Sequence, residues 1–306
     1  MPLVLCIDDL TAQAPRELSP YISLADRFAL FPHSRVSTTV WDVEDDKRVG
    51  VLEGHTSNIC TAKIGNIGTT AVTFGNLPGL SYQVKIWSLE SMQCTANLSS
   101  AYEISALLKD RLLLGSQEGP IKVWDIGGSA PVDLMDLQGH DDAVGSIIAS
   151  DTSNIVISGS SDTSVRLWDL RSGQCVRLLE GHTWAVTAVS MDMACRTAVT
   201  GSDDQTAKLW DLGSGRCINT YNTGSCHDIV MHKSGSYFLA AEWNFSLKAW
   251  TTSLESINQS PFLACDLGSL CDAGGDSSIA TSNNLSVVGV CRPRSHGGGL
   301  KVLMWK

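Results

Sequence analysis

Between Gly139 and Leu212 one passage is written twice. Gly139-His140 returns as Gly181-His182, Ser158 as Thr200, Asp162 as Asp204, Trp168-Asp169 as Trp210-Asp211 and Cys175 as Cys217, always 42 residues later. Unrelated residue types sharing one offset mark a structural repeat, and a period of this length restricts the chain to stacked, mutually dependent units. A unit so short cannot bury its apolar face alone, so stability belongs to the array.

The period, the Gly-His opening and the Trp-Asp closing resemble the WD40 repeat. That resemblance implies four antiparallel strands per unit, each unit forming one blade of a β-propeller. It also implies that the Trp indole, the Ser or Thr hydroxyl, the His and the Asp are joined by hydrogen bonds. Carried onto this chain, the network is His140, Ser158, Asp162 and Trp168, then His182, Thr200, Asp204 and Trp210. A catalytic Ser/His/Asp triad occurs once, beside an oxyanion hole; a constellation that recurs with the repeat is a set of buried groups satisfying one another.

With the repeat Trp as marker, the chain holds seven units, at Trp41, Trp87, Trp124, Trp168, Trp210, Trp250 and Trp305, spaced by 46, 37, 44, 42, 40 and 55 residues. The expected fold is all-β, a seven-bladed propeller forming a single domain over residues 1–306. Leu300–Trp305 is the third strand of the last blade, and the apolar Pro2–Ile7 is expected to supply its outer strand, closing the ring as in the resembled family and removing an exposed edge. Blade one is read as Tyr21–Ala25, Arg27–Phe31, Val36–Val43 and Lys47–Leu52, and blade two as Thr61–Ile64, Thr70–Phe74 and Gln83–Trp87 after Gly54-His55. Gly75–Tyr82 reads as a long Gly/Pro loop. Blade three is Ile104–Leu108, Arg111–Ser116 and Ile121–Trp124, with Glu118 at the Asp position; blade six is Asp228–His232, Tyr237–Ala241 and Leu247–Trp250, with Asn244 there. Blade seven begins with Ser278–Ser282 and Leu285–Val290. Only blades four and five are expected to hold the full network.

The two rims of such a ring differ. Turns between the first and second and between the third and fourth strands are short and punctuated, as at Arg171-Ser172-Gly173 and Leu212–Gly215. The opposite rim collects the irregular segments Thr11–Pro20, Gly75–Tyr82, Gly268–Asp276 and the basic Cys291–Gly299. Insertions gathered on one face of a repeat protein mark a binding face. Of nine tryptophans seven are repeat markers, leaving Trp184 and Trp243, both placed to open onto that rim on blades five and six. Exposed tryptophans are typical interface anchors. Asp141, Asp142, Ser161, Asp203 and Glu242 surround them as an expected acidic set.

A formal net charge of −10 disfavours a nucleic-acid partner, which requires cations against phosphate. No apolar run approaches the ~20 residues of a membrane span, and the start of the chain carries Asp8 and Asp9 where a signal peptide stays apolar. Ten scattered cysteines contain no C-x-x-C pair, so neither a disulfide framework nor a zinc or other metal site is expected, nor any cofactor. Cys94, Cys175 and Cys217, each seven residues after a repeat Trp, read as small apolar residues opening an outer strand in a reducing cytoplasm or nucleus. The expected function is a non-enzymatic scaffold, monomeric within a larger complex, holding a protein partner through a short basic and apolar segment. The alternative drawn from the resemblance is a substrate receptor of a ubiquitin ligase whose ligase contact another chain supplies. Arg292, Arg294 and Lys301 are the only basis for nucleic-acid binding, and His227, His232 and His296 are left without assigned partners.

Overall fold

Every described strand belongs to a four-stranded antiparallel sheet: in the computed structural model the described residues form 28 strands in seven such sheets. The described residues are 3–5, 23–24, 27–42, 44–45, 47–65, 69–77, 81–100, 104–128, 130–150, 152–243, 246–253, 260–261, 263–266, 277–281, 287–291 and 301–305. Blade one is β2 (Ser23–Leu24), β3 (Phe28–Ser34), β4 (Ser37–Asp42) and β5 (Lys47–Glu53); blade two is β6 (Ile59–Ile64), β7 (Thr70–Leu77), β8 (Ser81–Ser88) and β9 (Gln93–Ser100). Blade three is β10 (Ile104–Leu107), β11 (Arg111–Gly115), β12 (Ile121–Asp125) and β13 (Val132–Leu137). Blade four is β14 (Val144–Ala149), β15 (Ile155–Ser160), β16 (Val165–Asp169) and β17 (Gln174–Leu179). Blade five is β18 (Val186–Met191), β19 (Thr197–Ser202), β20 (Thr206–Asp211) and β21 (Arg216–Asn222). Blade six is β22 (Cys226–Met231), β23 (Tyr237–Glu242), β24 (Ser246–Thr251) and β25 (Leu263–Asp266).

Blade seven joins the two ends of the sequence. β26 (Ser277–Thr281), β27 (Val287–Cys291) and β28 (Lys301–Trp305) are completed by β1 (Leu3–Leu5), which pairs antiparallel with β28 through Leu3↔Met304, Val4↔Leu303 and Leu5↔Val302. The first strand of each blade touches the first strand of the next, and β26 touches β2, so the ring is closed. Closure by the N-terminal strand is as expected.

In blades two to six the second strand is packed on both faces for most of its length, as in Ile155–Ser160 and Tyr237–Glu242, whose residues after the first are all buried. Cores therefore lie between blades. Leu113, Val123 and Leu137 of blade three pack with Val156 and Trp168 of blade four, and Val199 and Leu209 of blade five with Phe238 and Trp250 of blade six. Close approach requires glycine: a Cβ at Gly201 would sit 2.7 Å from Cβ of Cys226 on blade six, and one at Gly159 would overlap Val186 on blade five.

Two expectations for blade two are corrected. Gly75–Tyr82 is not a loop throughout, because β7 and β8 remain paired out to Leu77↔Ser81; only 78–80 lie outside the described residues. Blade two also holds a third polar network, described below. The three repeat cysteines do follow β-bulges, each facing its repeat Trp (Trp87↔Cys94, Trp168↔Cys175, Trp210↔Cys217), but Cys94 and Cys217 are exposed rather than packed. Their thiols turn to the backbone carbonyls of Ala96, Arg177 and Asn219, at 3.2, 3.2 and 3.3 Å.

Candidate functional site

In blade four, Trp168 Nε1 donates to Ser158 Oγ at 2.8 Å, Ser158 Oγ lies 2.7 Å from His140 Nε2, and His140 Nδ1 meets Asp162 at 2.8 Å. Blade five repeats this with Trp210, Thr200, His182 and Asp204 at 2.8, 2.8 and 2.7 Å. The carboxylates also accept the amide N–H of Asp141 and Thr183, pinning the turn that leads to the rim. Blade two reproduces the network with a different acceptor. Trp87 Nε1 donates to Thr73 Oγ1 at 2.7 Å, Thr73 lies 2.6 Å from His55 Nε2, and Gln83 Oε1 takes His55 Nδ1 at 3.0 Å and the Thr56 N–H at 3.3 Å.

Gln83 stands two residues before the strand partner of the network hydroxyl, as Ser164 and Thr206 do in blades four and five. Its longer side chain reaches what the turn Asp reaches elsewhere. The signal was present: His55 and Thr73 are 18 residues apart, as are His140 and Ser158, and His182 and Thr200. In blades three and six the hydroxyl position is held by Leu114 and Ala240, and the indole N–H of Trp124 and Trp250 finds no acceptor among the described residues. Blade six holds instead by packing, Trp250 stacking on Phe238 at 5.4 Å and Phe238 meeting Tyr221 edge-on at 4.9 Å.

Burial lowers the pKa of His140 and His182, against the upward pull of their aspartates, and lowers His55 to about 4. Burial works to raise Asp162, but hydrogen bonds from Ser164 and His140 outweigh it and hold that carboxyl at about 2. Each imidazole is thus a buried ring with both nitrogens occupied, a geometry suited to holding a turn. Among the described residues no group of three or more His, Cys, Asp or Glu could hold a metal ion, and no helix is long and apolar enough to cross a membrane.

The rim above these networks carries the residues singled out in sequence. Trp184 is 66% exposed and Trp243 62% exposed, the two most exposed tryptophans described. They are tied together through the backbone. Ser202 Oγ donates to the Trp184 carbonyl, Asp203 N–H to the Ala185 carbonyl, Ser225 Oγ to Asp203 Oδ1 at 3.0 Å, and Trp243 N–H to the Ser225 carbonyl at 3.0 Å. The Trp243 ring leans on His227, centroids 5.3 Å apart, which gives that histidine a partner.

Asp141, Asp142 and Ser161 are exposed on the neighbouring blade, and Asp203, bonded to Ser225, is half-buried. Glu242 does not belong to this surface. It is 1% exposed, and its carboxylate accepts the Gly224 N–H at 2.9 Å, Lys248 Nζ at 2.6 Å and the Ser246 hydroxyl. The strand reaches one residue further than the sequence suggested, turning Glu242 inward onto Lys248 and leaving Trp243 as the first rim residue. Asn244, Arg292, Arg294, His296 and the segments Thr11–Pro20, Gly268–Asp276 and most of Cys291–Gly299 lie outside the described residues.

The family described as "WD40: WD domain, G-beta repeat" matches residues 132–169 and 173–211, the stretches that end on the two full Trp-Asp pairs. The chain carries WD40 repeats. It is 29% identical over 132 residues to the CCR4-associated factor 4 homolog of Candida glabrata, covering 39% of this chain and 21% of that protein. It is 27% identical over 181 residues to mitochondrial division protein 1 of Kluyveromyces lactis, covering 47% of this chain and 25% of that protein. Against small ribosomal subunit protein RACK1 of Caenorhabditis elegans it is 36% identical over 76 residues, 22% of this chain and 23% of that one. The matched stretch is thus a quarter or less of each of these relatives. Among solved structures, a chain of a mitotic checkpoint complex superposes with a TM-score of 0.78 at 16% identity, covering 100% of this chain and 95% of that one. At that identity the likeness shows the fold.

Proposed function

We propose that the WD40 propeller acts as a non-enzymatic scaffold, a single domain over residues 1–306, whose rim on blades four to six holds a protein partner. The observation that carries this reading is the pair Trp184 and Trp243, both about two-thirds exposed and locked in relative position through Asp203 and Ser225. Large aromatic side chains held rigidly in water lose little conformational freedom on binding and bury much area when covered. With Asp141 and Asp142 beside them, the complementary segment is short, basic and apolar. The His–Ser/Thr–Asp constellations of blades four and five, and the His55–Thr73–Gln83 network of blade two, are saturated by the fold and serve to hold the turns. Six described cysteines are free thiols, in keeping with a reducing cytoplasm or nucleus.

Affinity purification of the intact chain, set against a Trp184→Ala, Trp243→Ala double variant, tests the reading. A partner recovered with the unsubstituted chain and lost from a double variant of unchanged melting temperature is the expected result. A full set of partners retained by the double variant places the binding surface elsewhere.

A further inference from the structure

The opposite rim, built from the turns between first and second and between third and fourth strands, presents exposed cations. On blades four to six its described aspartates are engaged by their own turns. Asp169 Oδ1 accepts the Arg171 N–H at 3.0 Å, Asp211 Oδ1 accepts the Ser214 N–H at 2.7 Å, and Asp192, 3% exposed, accepts the Arg196 N–H at 2.7 Å. The cations do the reverse. Arg171, Arg196 and Arg216 are exposed, and the Arg196 side chain, 75% open to solvent, approaches Asp192 only at 3.8 Å. Beside them Met193 is 63% exposed, with an unbranched apolar chain projecting from a turn.

These residues share one continuous surface, because hydrogen bonds link the turns across blades. Met193 N–H donates to the Lys233 carbonyl of blade six at 3.0 Å, while within blade five Leu212 N–H donates to the Arg196 carbonyl at 2.9 Å, joining its two turns. The Arg177 guanidinium of blade four reaches the carbonyls of Leu212 and Gly213 on blade five, and Ser153 of blade four meets Cys195 of blade five at 3.1 Å.

We infer that this rim is a second docking surface, for an acidic protein segment carrying an apolar side chain that covers Met193. Charge complementarity selects the occupant: Arg171, Arg196 and Arg216 are exposed and Lys233 half-buried, whereas of the three aspartates described on these turns Asp192 is buried and all are held by backbone N–H groups, so the cations are what this surface offers a partner. Methionine adapts to varied apolar side chains and is over-used at binding surfaces. It has no counterpart in a phosphate backbone, which favours protein over nucleic acid. The two rims of blades four to six are separate surfaces, so one propeller holds a basic and an acidic segment at once without either competing for the other's site.

The test uses the full chain and fluorescence anisotropy with three labelled probes: a short peptide alternating glutamate and leucine, its lysine–leucine counterpart, and a single-stranded oligonucleotide. The glutamate–leucine peptide is expected to bind, more weakly as salt rises. Arg196→Gln with Lys233→Gln should weaken it about tenfold, as loss of rim cations does, and Met193→Ser should weaken it at every salt concentration. Trp184→Ala with Trp243→Ala should leave it unchanged, and all variants should melt with the parent, since the substituted side chains lie at the surface. No saturable binding of the acidic peptide overturns the inference, as does loss of binding in the tryptophan variant. Tighter binding of the oligonucleotide through the same cations overturns it in favour of nucleic acid.

Discussion

His55 shows what the network carboxylate does, because blade two puts Gln83 in its place. Burial pulls His55 down to about 4, the Gln83 hydrogen bond opposes it without overcoming it, and Lys85 adds to the fall. A ring whose folded pKa lies below the unfolded value of about 6.5 contributes stability that is complete above that value and is lost as pH falls toward 4. Gln83→Glu supplies the missing carboxylate. It should raise the His55 pKa, read by histidine NMR titration, and shrink the drop in melting temperature between neutral and mildly acid solution. A ring in the parent that titrates at the ordinary value would mean that it is open to water. Blade five offers the converse. Asp204→Ala strips an acceptor from His182, Thr183 and Thr206, at about 1 to 3 kcal/mol for unsatisfied buried groups, measurable by denaturant unfolding. Partner binding should persist in the folded fraction; an activity abolished without any change in stability would restore a catalytic role to the constellation.

At the scale of the element, the repeat was legible because its signals are local. Trp-Asp after an apolar strand and Gly-His before the next fix where a sheet begins and ends, and all seven marker tryptophans fall on the third strand of a blade. What escaped depends on cross-strand partners. Gly75 and the Pro78-Gly79 pair suggested a loop, yet Asn76 and Leu77 find Tyr82 and Ser81 opposite and stay in the sheet. Glu242 read as a surface acid because nothing adjacent in sequence declares that Lys248 will lie beside it. β25, the outer strand of blade six, had no marker of its own. The closing strand β1 is the element with most at stake, since three residues cover the edge of β28. Deleting residues 1–10 should expose that edge, lower the melting temperature and promote association through strand pairing. Calorimetry and light scattering check both; a deletion variant that melts with the parent and remains monomeric would show β1 to be dispensable.

For the whole molecule, ring closure makes the blades one rigid frame, so charge and aromatic groups on separate blades act as a single surface. On the tryptophan rim this separates two rates. The field of Asp141, Asp142 and Asp203 acts before contact and so governs encounter with a basic segment, whereas Trp184 and Trp243 act after contact and govern release. The Debye length falls from ~10 Å at 0.1 M salt to ~3 Å at 1 M, so association should slow as salt rises while dissociation changes little. Asp142→Asn with Asp203→Asn should lower the on-rate and flatten its salt dependence. Asparagine at 203 keeps an acceptor for the Ser225 hydroxyl, so the Trp243 turn should stay in place and the off-rate should hold. Trp184→Ala should do the opposite, speeding release several-fold or more, since truncating a buried aromatic anchor costs about 2 kcal/mol or above. Stopped-flow or surface-plasmon kinetics over a salt series separate the two effects. Association that ignores both salt and these three side chains would move the basic segment off blades four to six altogether.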